Sequence, residues 1–216
     1  TVTYMIAGRM RHRDSAGNEG LLQNGGVQWM TAGRGVIHSE MPQQTEGRMH
    51  GFQLWINLPS DEKMCPPAYR DIPSPTMPVV DLQDGSGTVK VIAGTYSNGL
   101  DPISGPLQGM TTEPVMLDVH MGAHGEFLEP ITVGHTAFVY VYEGEALVGD
   151  ERISARHLAV LGAGAQVQVN SLESETRFLV LAAAPIGEPV VQYGPFVMNT
   201  RAEIEQAVQD YQSGKF

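Results

Sequence analysis

Gly33-Arg34-Gly35-Val36-Ile37-His38-Ser39-Glu40-Met41-Pro42 is an apolar run, hinged on glycine, that carries an imidazole and a carboxylate two residues apart. Side chains alternate along a strand, so a strand over Val36–Glu40 points His38 and Glu40 to the same face. If that face lines a barrel interior, the two converge on one point. A neutral imidazole nitrogen and a carboxylate oxygen are donors that divalent iron, manganese, nickel or copper accepts. The pair is therefore a candidate half of a metal site.

Outward from this run, short strand-like segments dominate. Thr1–Ala7 reads as a strand already under way, which suggests that a segment of a longer protein precedes Thr1. A polar loop over His12–Glu19 follows. Gly25-Gly26 leads into Val27–Gly33, where apolar and polar residues alternate between glycines, the pattern of a strand–turn–strand corner. In His50–Pro59, Phe52, Leu54 and Ile56 take one face and Gln53, Trp55 and Asn57 the other. Residues 66–78 hold Pro66, Pro67, Pro73, Pro75 and Pro78 without periodicity and read as a linker. Beyond it come strand runs at Thr88–Ala93, Val115–Met121, Thr136–Tyr142, Ala146–Val148, His157–Leu161, Gln166–Val169 and Arg177–Ala183. That spacing is the one a sandwich or barrel needs. One helix is expected at the end. Thr200 and Glu203 form a capping box, Ile204, Ala207, Val208 and Tyr211 recur at helical spacing, and Gly214 stops the run. The expected organisation is all-β: a first barrel over 1–65, the linker 66–78, a second barrel over 79–190, and a tail with the helix over 191–216.

Composition narrows the function. Of 216 residues 42% are apolar and 17% charged, with 25 glycines and 14 prolines, which favours strands and tight turns around a real core. Cys65 is the single cysteine, so no intrachain disulfide forms and a reducing, cytoplasmic setting is expected. No apolar stretch reaches spanning length, and no membrane association is expected. The 24 acids against 13 bases leave a charge of −11, which repels phosphate backbones.

The blocks Thr1-Val2-Thr3-Tyr4, Val27–Glu40, Gln53-Leu54-Trp55-Ile56-Asn57-Leu58-Pro59 and Gly194-Pro195-Phe196-Val197-Met198-Asn199-Thr200, in this order, resemble the pirin family. The resemblance spans the chain. It implies a double cupin, two β-barrels with one metal ion in the N-terminal barrel, most often iron. It also implies quercetin 2,3-dioxygenase activity in some members and, in some eukaryotic ones, a role as a nuclear transcription cofactor. The family's ligands are three histidines and a glutamate. His38 and Glu40 match two of them. The other two histidines belong to a His-Pro-His-Arg-Gly-Phe-Glu segment directly ahead of the strand that opens here at Thr1. With two ligands of four, this chain is expected to hold metal weakly, and a tightly held equimolar ion would point to a substitute such as His12.

Two functions stand against each other. In the first, a mononuclear-metal dioxygenase acts on a flavonol such as quercetin, with Glu40 as general base. In the second, the metal is a redox sensor in a regulatory protein that works through a protein partner. A metal-free scaffold is the bland third. His12, beside the polar loop and Asp14, is a candidate hydrogen-bonding support for a ligand. Gln53 and Trp55, sharing a face, are substrate-pocket candidates. His50 opens a strand and reads as a surface or turn residue, with a pocket role as the alternative. His120, His124, His135 and His157 are scattered singly and form no ligand pattern. Cys65 has no base beside it and is not expected to be a nucleophile. No glycine-rich phosphate loop is present.

Arg9, Arg11 and Arg13 form the one basic cluster, and they read as a solvated strand edge. The expected outcome with duplex DNA at physiological salt is no binding in the micromolar range by fluorescence anisotropy. Salt-sensitive binding that disappears when the three arginines become alanine would contradict it.

Overall fold

The computed structural model describes residues 1–97 and 101–216, and its regular structure is mostly β. Residues 98–100, inside the expected second barrel, lie outside the described residues. The chain divides into two compact units, Thr1–Ser74 together with Ile186–Phe216, and Pro75–Pro185. No helix among the described residues is long and apolar enough to cross a membrane.

The first unit holds β1 (Val2–Ala7), β2 (Met10–Asp14), β3 (Glu19–Leu22), β4 (Val27–Thr31), β5 (His38–Pro42), β6 (His50–Leu54) and β7 (Ala68–Ile72). They form a four-stranded sheet in the order β6-β1-β4-β7 and a three-stranded sheet in the order β3-β2-β5. All the neighbours are antiparallel. On the first sheet Val2 and Tyr4 are buried, and so is the polar Thr3 between them, because β1 lies in the middle of the sheet. Its register sets Thr3 opposite both Gln53 and Gln28, and Gln28 opposite Asp71. One row of polar side chains thus crosses all four strands.

Three expectations change here. The strand with the metal-ligand candidates runs over His38–Pro42 rather than Val36–Glu40. Gly33 and Gly35 take left-handed φ values of +54° and +139°, which an extended strand cannot contain, so Val36 and Ile37 stay in the loop. The spacing of His38 and Glu40 on one face is unaffected. His12 lies within β2, not in a loop. Met10 and His12 turn inward while Arg11 and Arg13 turn out, and only Ser15–Asn18 remain as the turn. The expected linker contains β7. Its prolines flank the strand at Pro66, Pro67 and Pro73 instead of interrupting it, which an edge strand tolerates. The arginine cluster is also divided. Arg11 and Arg13 both donate to Glu19, at 2.7 and 3.0 Å, while Arg9 sits in the preceding turn.

The tail belongs to the first unit. Its helix, Arg201–Gln212, begins with the expected capping box: the Glu203 N–H donates to Thr200 Oγ1 and the Thr200 N–H to Glu203 Oε2. It packs on the hairpin Val191–Tyr193/Phe196–Met198, narrower support than the barrel face expected for it. Ile204 is 5% exposed and Tyr211 52%, so the apolar stripe is buried only at its first turn. A polar network holds the tail to the stretch Asn57–Lys63. Glu188 accepts the Ser60 N–H and hydroxyl and the Asn199 amide. The Lys63 ammonium, buried, donates to Asn57 Oδ1 at 2.7 Å. Burial pulls the Lys63 pKa down, and the carboxylates of Glu188 and Glu203 oppose that pull.

The second unit sets a six-stranded sheet in the order His157–Val160, Thr136–Glu143, Thr176–Ala183, Val115–Met121, Gly87–Ala93 and Val79–Asp81. A four-stranded sheet follows the order Glu126–Pro130, Gln166–Ser171, Glu145–Val148 and Glu151–Ser154. Its interior is a continuous apolar cluster that includes Leu117, Val119, Phe127, Val139, Val169, Phe178 and Val180. Glu129 interrupts it. The alternation that buries Phe127 also buries Glu129, which is 3% exposed. Both of its carboxylate oxygens take the same Ser97 N–H, at 3.1 and 3.2 Å.

Two measurements test these readings. Ile204→Asp buries a charge and should lower stability by about 3 kcal/mol in urea unfolding, because a buried unpaired charge is among the most damaging single changes. Burial raises the Glu129 carboxyl to about 7, only partly offset by the Ser97 N–H. A carboxyl raised on folding weakens the fold as pH climbs from its unfolded value to its folded one. Glu129→Gln should therefore leave the melting temperature nearly unchanged at pH 4.5 and raise it above that of the parent at pH 8.

Candidate metal centre

The antiparallel register of β2 and β5 builds the centre. His12 stands opposite Glu40, and Asp14 stands opposite His38. Residues two apart on each strand share a face, so all four groups lie on the inner side of the three-stranded sheet. One ring nitrogen each from His12 and His38 and one carboxylate oxygen from Glu40 lie within 4.8 Å of one another. Among the described residues no other group of three or more histidine, cysteine or acidic side chains gathers as closely. His12 is fully buried, Glu40 half-buried and His38 exposed. The His12 and His38 rings are 5.5 Å apart between centroids, tilted by 51°.

The opposite sheet orients the carboxylate. The Thr3 hydroxyl donates to Glu40 Oε1 at 3.1 Å and the Gln53 amide to Oε2 at 2.8 Å. Each oxygen keeps lone-pair capacity after its single bond. His12 is fixed from two sides. Its Nε2 lies 3.2 Å from Asp14 Oδ2, and its ring stacks on Tyr69 at 4.7 Å. Asp14 closes the Ser15–Asn18 turn by accepting the N–H groups of Ala16 and Asn18 and the Asn18 amide. Burial works to raise the Asp14 carboxyl, but the bonds from Asn18 and His12 outweigh it and leave its pKa below the ordinary value. Tyr69 in turn donates to Asp71 Oδ1 at 2.8 Å and accepts the Gln28 amide at 2.8 Å. Burial first, then the Asp71 carboxylate, pushes its pKa up. This packing requires Gly20 in β3, because a Cβ there would run into the Tyr69 hydroxyl and the Asp71 carboxylate.

The donor set fits a divalent ion of the first transition row: two imidazoles and a carboxylate, with the second sphere satisfied. Among the described residues His12 Nδ1 is buried without a hydrogen-bond partner, as is His135 Nδ1 in the second unit, which is rare for a polar atom in a folded chain.

Of the residues singled out from sequence, His38, Glu40, His12 and Gln53 come together. Trp55 stands one residue past the end of β6 and is 57% exposed. His50 is on β6, with Nδ1 3.0 Å from an Arg48 guanidinium nitrogen. In the second unit His120 joins Asp118 and Tyr142 in a hydrogen-bonded trio. Tyr142 donates to Asp118 at 2.7 Å, and His120 Nε2 lies 2.9 Å from the same hydroxyl. His124 and His135 each face one carboxylate, at 3.7 and 3.8 Å. The sequence reading missed Thr3, Asp14, Tyr69 and the Gln28–Asp71 pair. A His-x-Asp spacing in a strand could have pointed to Asp14. The rest depend on register between strands far apart in the chain.

Residues 1–56 match the family profile Pirin, and residues 116–216 match the Pirin C-terminal cupin domain. A Pseudomonas aeruginosa protein provisionally named a quercetin 2,3-dioxygenase is 49% identical over 99% of this chain and 75% of its own length. A Caulobacter vibrioides pirin-like protein is 45% identical over 100% of this chain and 76% of its own. The crystal structure of a quercetin 2,3-dioxygenase from Acinetobacter baumannii superposes with a TM-score of 0.92 at 36% identity, covering 100% of this chain and 75% of that one. With the fold and these likenesses together, the chain belongs to the pirin family and is built as a double cupin.

Proposed function

We propose that the protein is a metal-dependent oxidoreductase that adds dioxygen to a quercetin-type flavonol, with the first unit as its reaction chamber. The observation that carries this reading is Glu40. Its carboxylate stands beside two imidazoles and is held from the opposite sheet by Thr3 and Gln53, in a fold that superposes on a quercetin 2,3-dioxygenase. His38 and Glu40 would hold the ion, iron before manganese, nickel or copper. When bound, such an ion supplies Lewis acidity and a redox partner for dioxygen.

The chain's own groups do the rest. A flavonol reaches the centre past His38, the exposed member of the cluster. A Glu40 oxygen takes the proton of the flavonol hydroxyl, and the resulting enolate is the electron-rich form that dioxygen attacks. Thr3 and Gln53 keep the carboxylate aimed during the transfer, so little reorganisation is needed. Trp55, exposed and two residues after Gln53 in the chain, offers a flat surface for the aromatic rings. Met10, two residues before His12 on the inner face of β2, packs with Met5 and Leu22 in a buried apolar cluster.

The test is oxygen uptake with quercetin at saturating metal. The parent chain should turn over. Glu40→Gln should fall by roughly 100-fold to 10,000-fold, the usual range for loss of a general base, with an unchanged melting temperature. A fully loaded parent chain without uptake, or a Glu40→Gln variant as fast as the parent, would refute the reading.

A further inference from the structure

We infer that Phe216, in the tail, is a positioning residue for the centre: its ring lies against Gly35 and holds the loop that delivers His38. The inference rests on the reading above, in which His38 serves the reaction, and adds to it a contact from the far end of the sequence.

Residues 32–37 join β4 to β5 without entering either sheet. Gly33 and Gly35 stand at φ values of +54° and +139°, and glycine leaves a backbone free to take many other conformations. The loop is nevertheless tied at three points. At its start the Arg34 N–H donates to the Cys65 carbonyl at 2.9 Å, and a Cβ on Gly33 would run into that same carbonyl. At its end Ile37 and Ser15 exchange two bonds. The Ile37 N–H donates to Ser15 Oγ at 3.0 Å, and the Ser15 N–H to the Ile37 carbonyl at 2.8 Å. Between these ends lies Gly35, where a Cβ would run into the Phe216 ring.

Phe216 is itself held in place. Its ring is 6.2 Å from that of Phe196 on the hairpin and 6.1 Å from that of Tyr211 on the helix, and those two rings are 6.4 Å apart. Aromatic rings attract at such separations when tilted or edge-on, as all three pairs are. The hairpin and helix are fastened in turn through Glu188, which accepts from Ser60 and Asn199. A continuous set of contacts therefore runs from the tail to the loop. What it holds matters because His38 follows Ile37 directly. Glu40 is aimed by Thr3 and Gln53, and His12 by Asp14 and Tyr69, through their side chains. His38 is the exposed member, and the constraint on it comes through the backbone that carries it. A displacement of about 1 Å at a reacting group can slow a reaction about 100-fold.

Amide hydrogen exchange and histidine ring ¹⁵N spectra of the intact, metal-free chain are the test. The variants are Phe216→Ala, the ring-conserving Phe216→Tyr, and Ile204→Ala, which loosens the same helix at its buried first turn. Phe216→Ala should speed exchange of the Arg34 and Ile37 amides by about 10-fold and move the His38 ring signals, with exchange in the second unit unchanged. Phe216→Tyr should restore both, and Ile204→Ala should leave both as in the parent. In oxygen uptake with quercetin at saturating metal, Phe216→Ala should lower kcat by about 10-fold to 100-fold and leave KM within about 2-fold. Parent-like exchange and parent-like His38 signals in Phe216→Ala would overturn the inference. Equal changes in Ile204→Ala would overturn it too, since Phe216 would then act only through the general packing of the tail. Exchange and ring signals are read without metal or substrate, so failure here is distinct from failure of the oxygenase reading, which uptake by the parent chain decides.

Discussion

Gln53, Thr3, Gln28 and Asp71 stand in register across one sheet, and the interior of the first unit is organised around satisfying them. Two of the four, Thr3 and Gln28, are buried, and a buried polar group destabilises the fold unless it finds a partner. The opposite sheet supplies those partners only if it presents Glu40 to Thr3 and Gln53, and a ring to lie against Tyr69, which Asp71 and Gln28 hold in place. The three-stranded sheet does so because His12 and Glu40 face each other across β2 and β5. A slip of one residue in that pairing would turn one of the two outward and bring Arg11 or Met41 to the interior in its place. The polar layer therefore fixes register as well as chemistry.

Much of this was legible in the residues. The two-residue spacing of His38 and Glu40 predicts a shared face whatever the exact strand limits, and that relation survived a shift of the strand by two positions. The alternation in His50–Leu54 separated Gln53 from Phe52 and Leu54 as a pocket candidate, and its amide meets Glu40. The capping box at Thr200 and Glu203 located the helix to the residue. These are local signals, each decided within a few positions of the chain.

The misreadings have a common cause. His12 looked like a loop residue because Arg11, Arg13 and Asp14 make the segment polar. Yet the arginines are the outward half of a strand and Asp14 is the buried end of one. Residues 66–78 looked like a linker because their prolines were read as filling the segment when they bracket it. Tyr69 and Asp71, both on that overlooked strand, were lost with it. Their role depends on pairing with Gln28, some forty positions earlier, and no window along the sequence reports such pairing.

The two units also differ in what they place at inward positions, and that difference locates the chemistry. In the second unit the alternation fills the interior with Val, Leu and Phe, and Glu129 intrudes among them, its two oxygens accepting the Ser97 N–H. A carboxyl so placed is driven toward its neutral form. In the first unit the buried acid is Asp14, and a turn of backbone and amide donors keeps it ionised. An ionised acid beside an imidazole sets the tautomer and orients the ring, whereas a neutral one in an apolar core does neither. Both barrels also set a buried acid beside an imidazole, Asp14 with His12 and Asp118 with His120, so what separates them is register: among the described residues only the first brings a second imidazole and a further carboxylate to the same point.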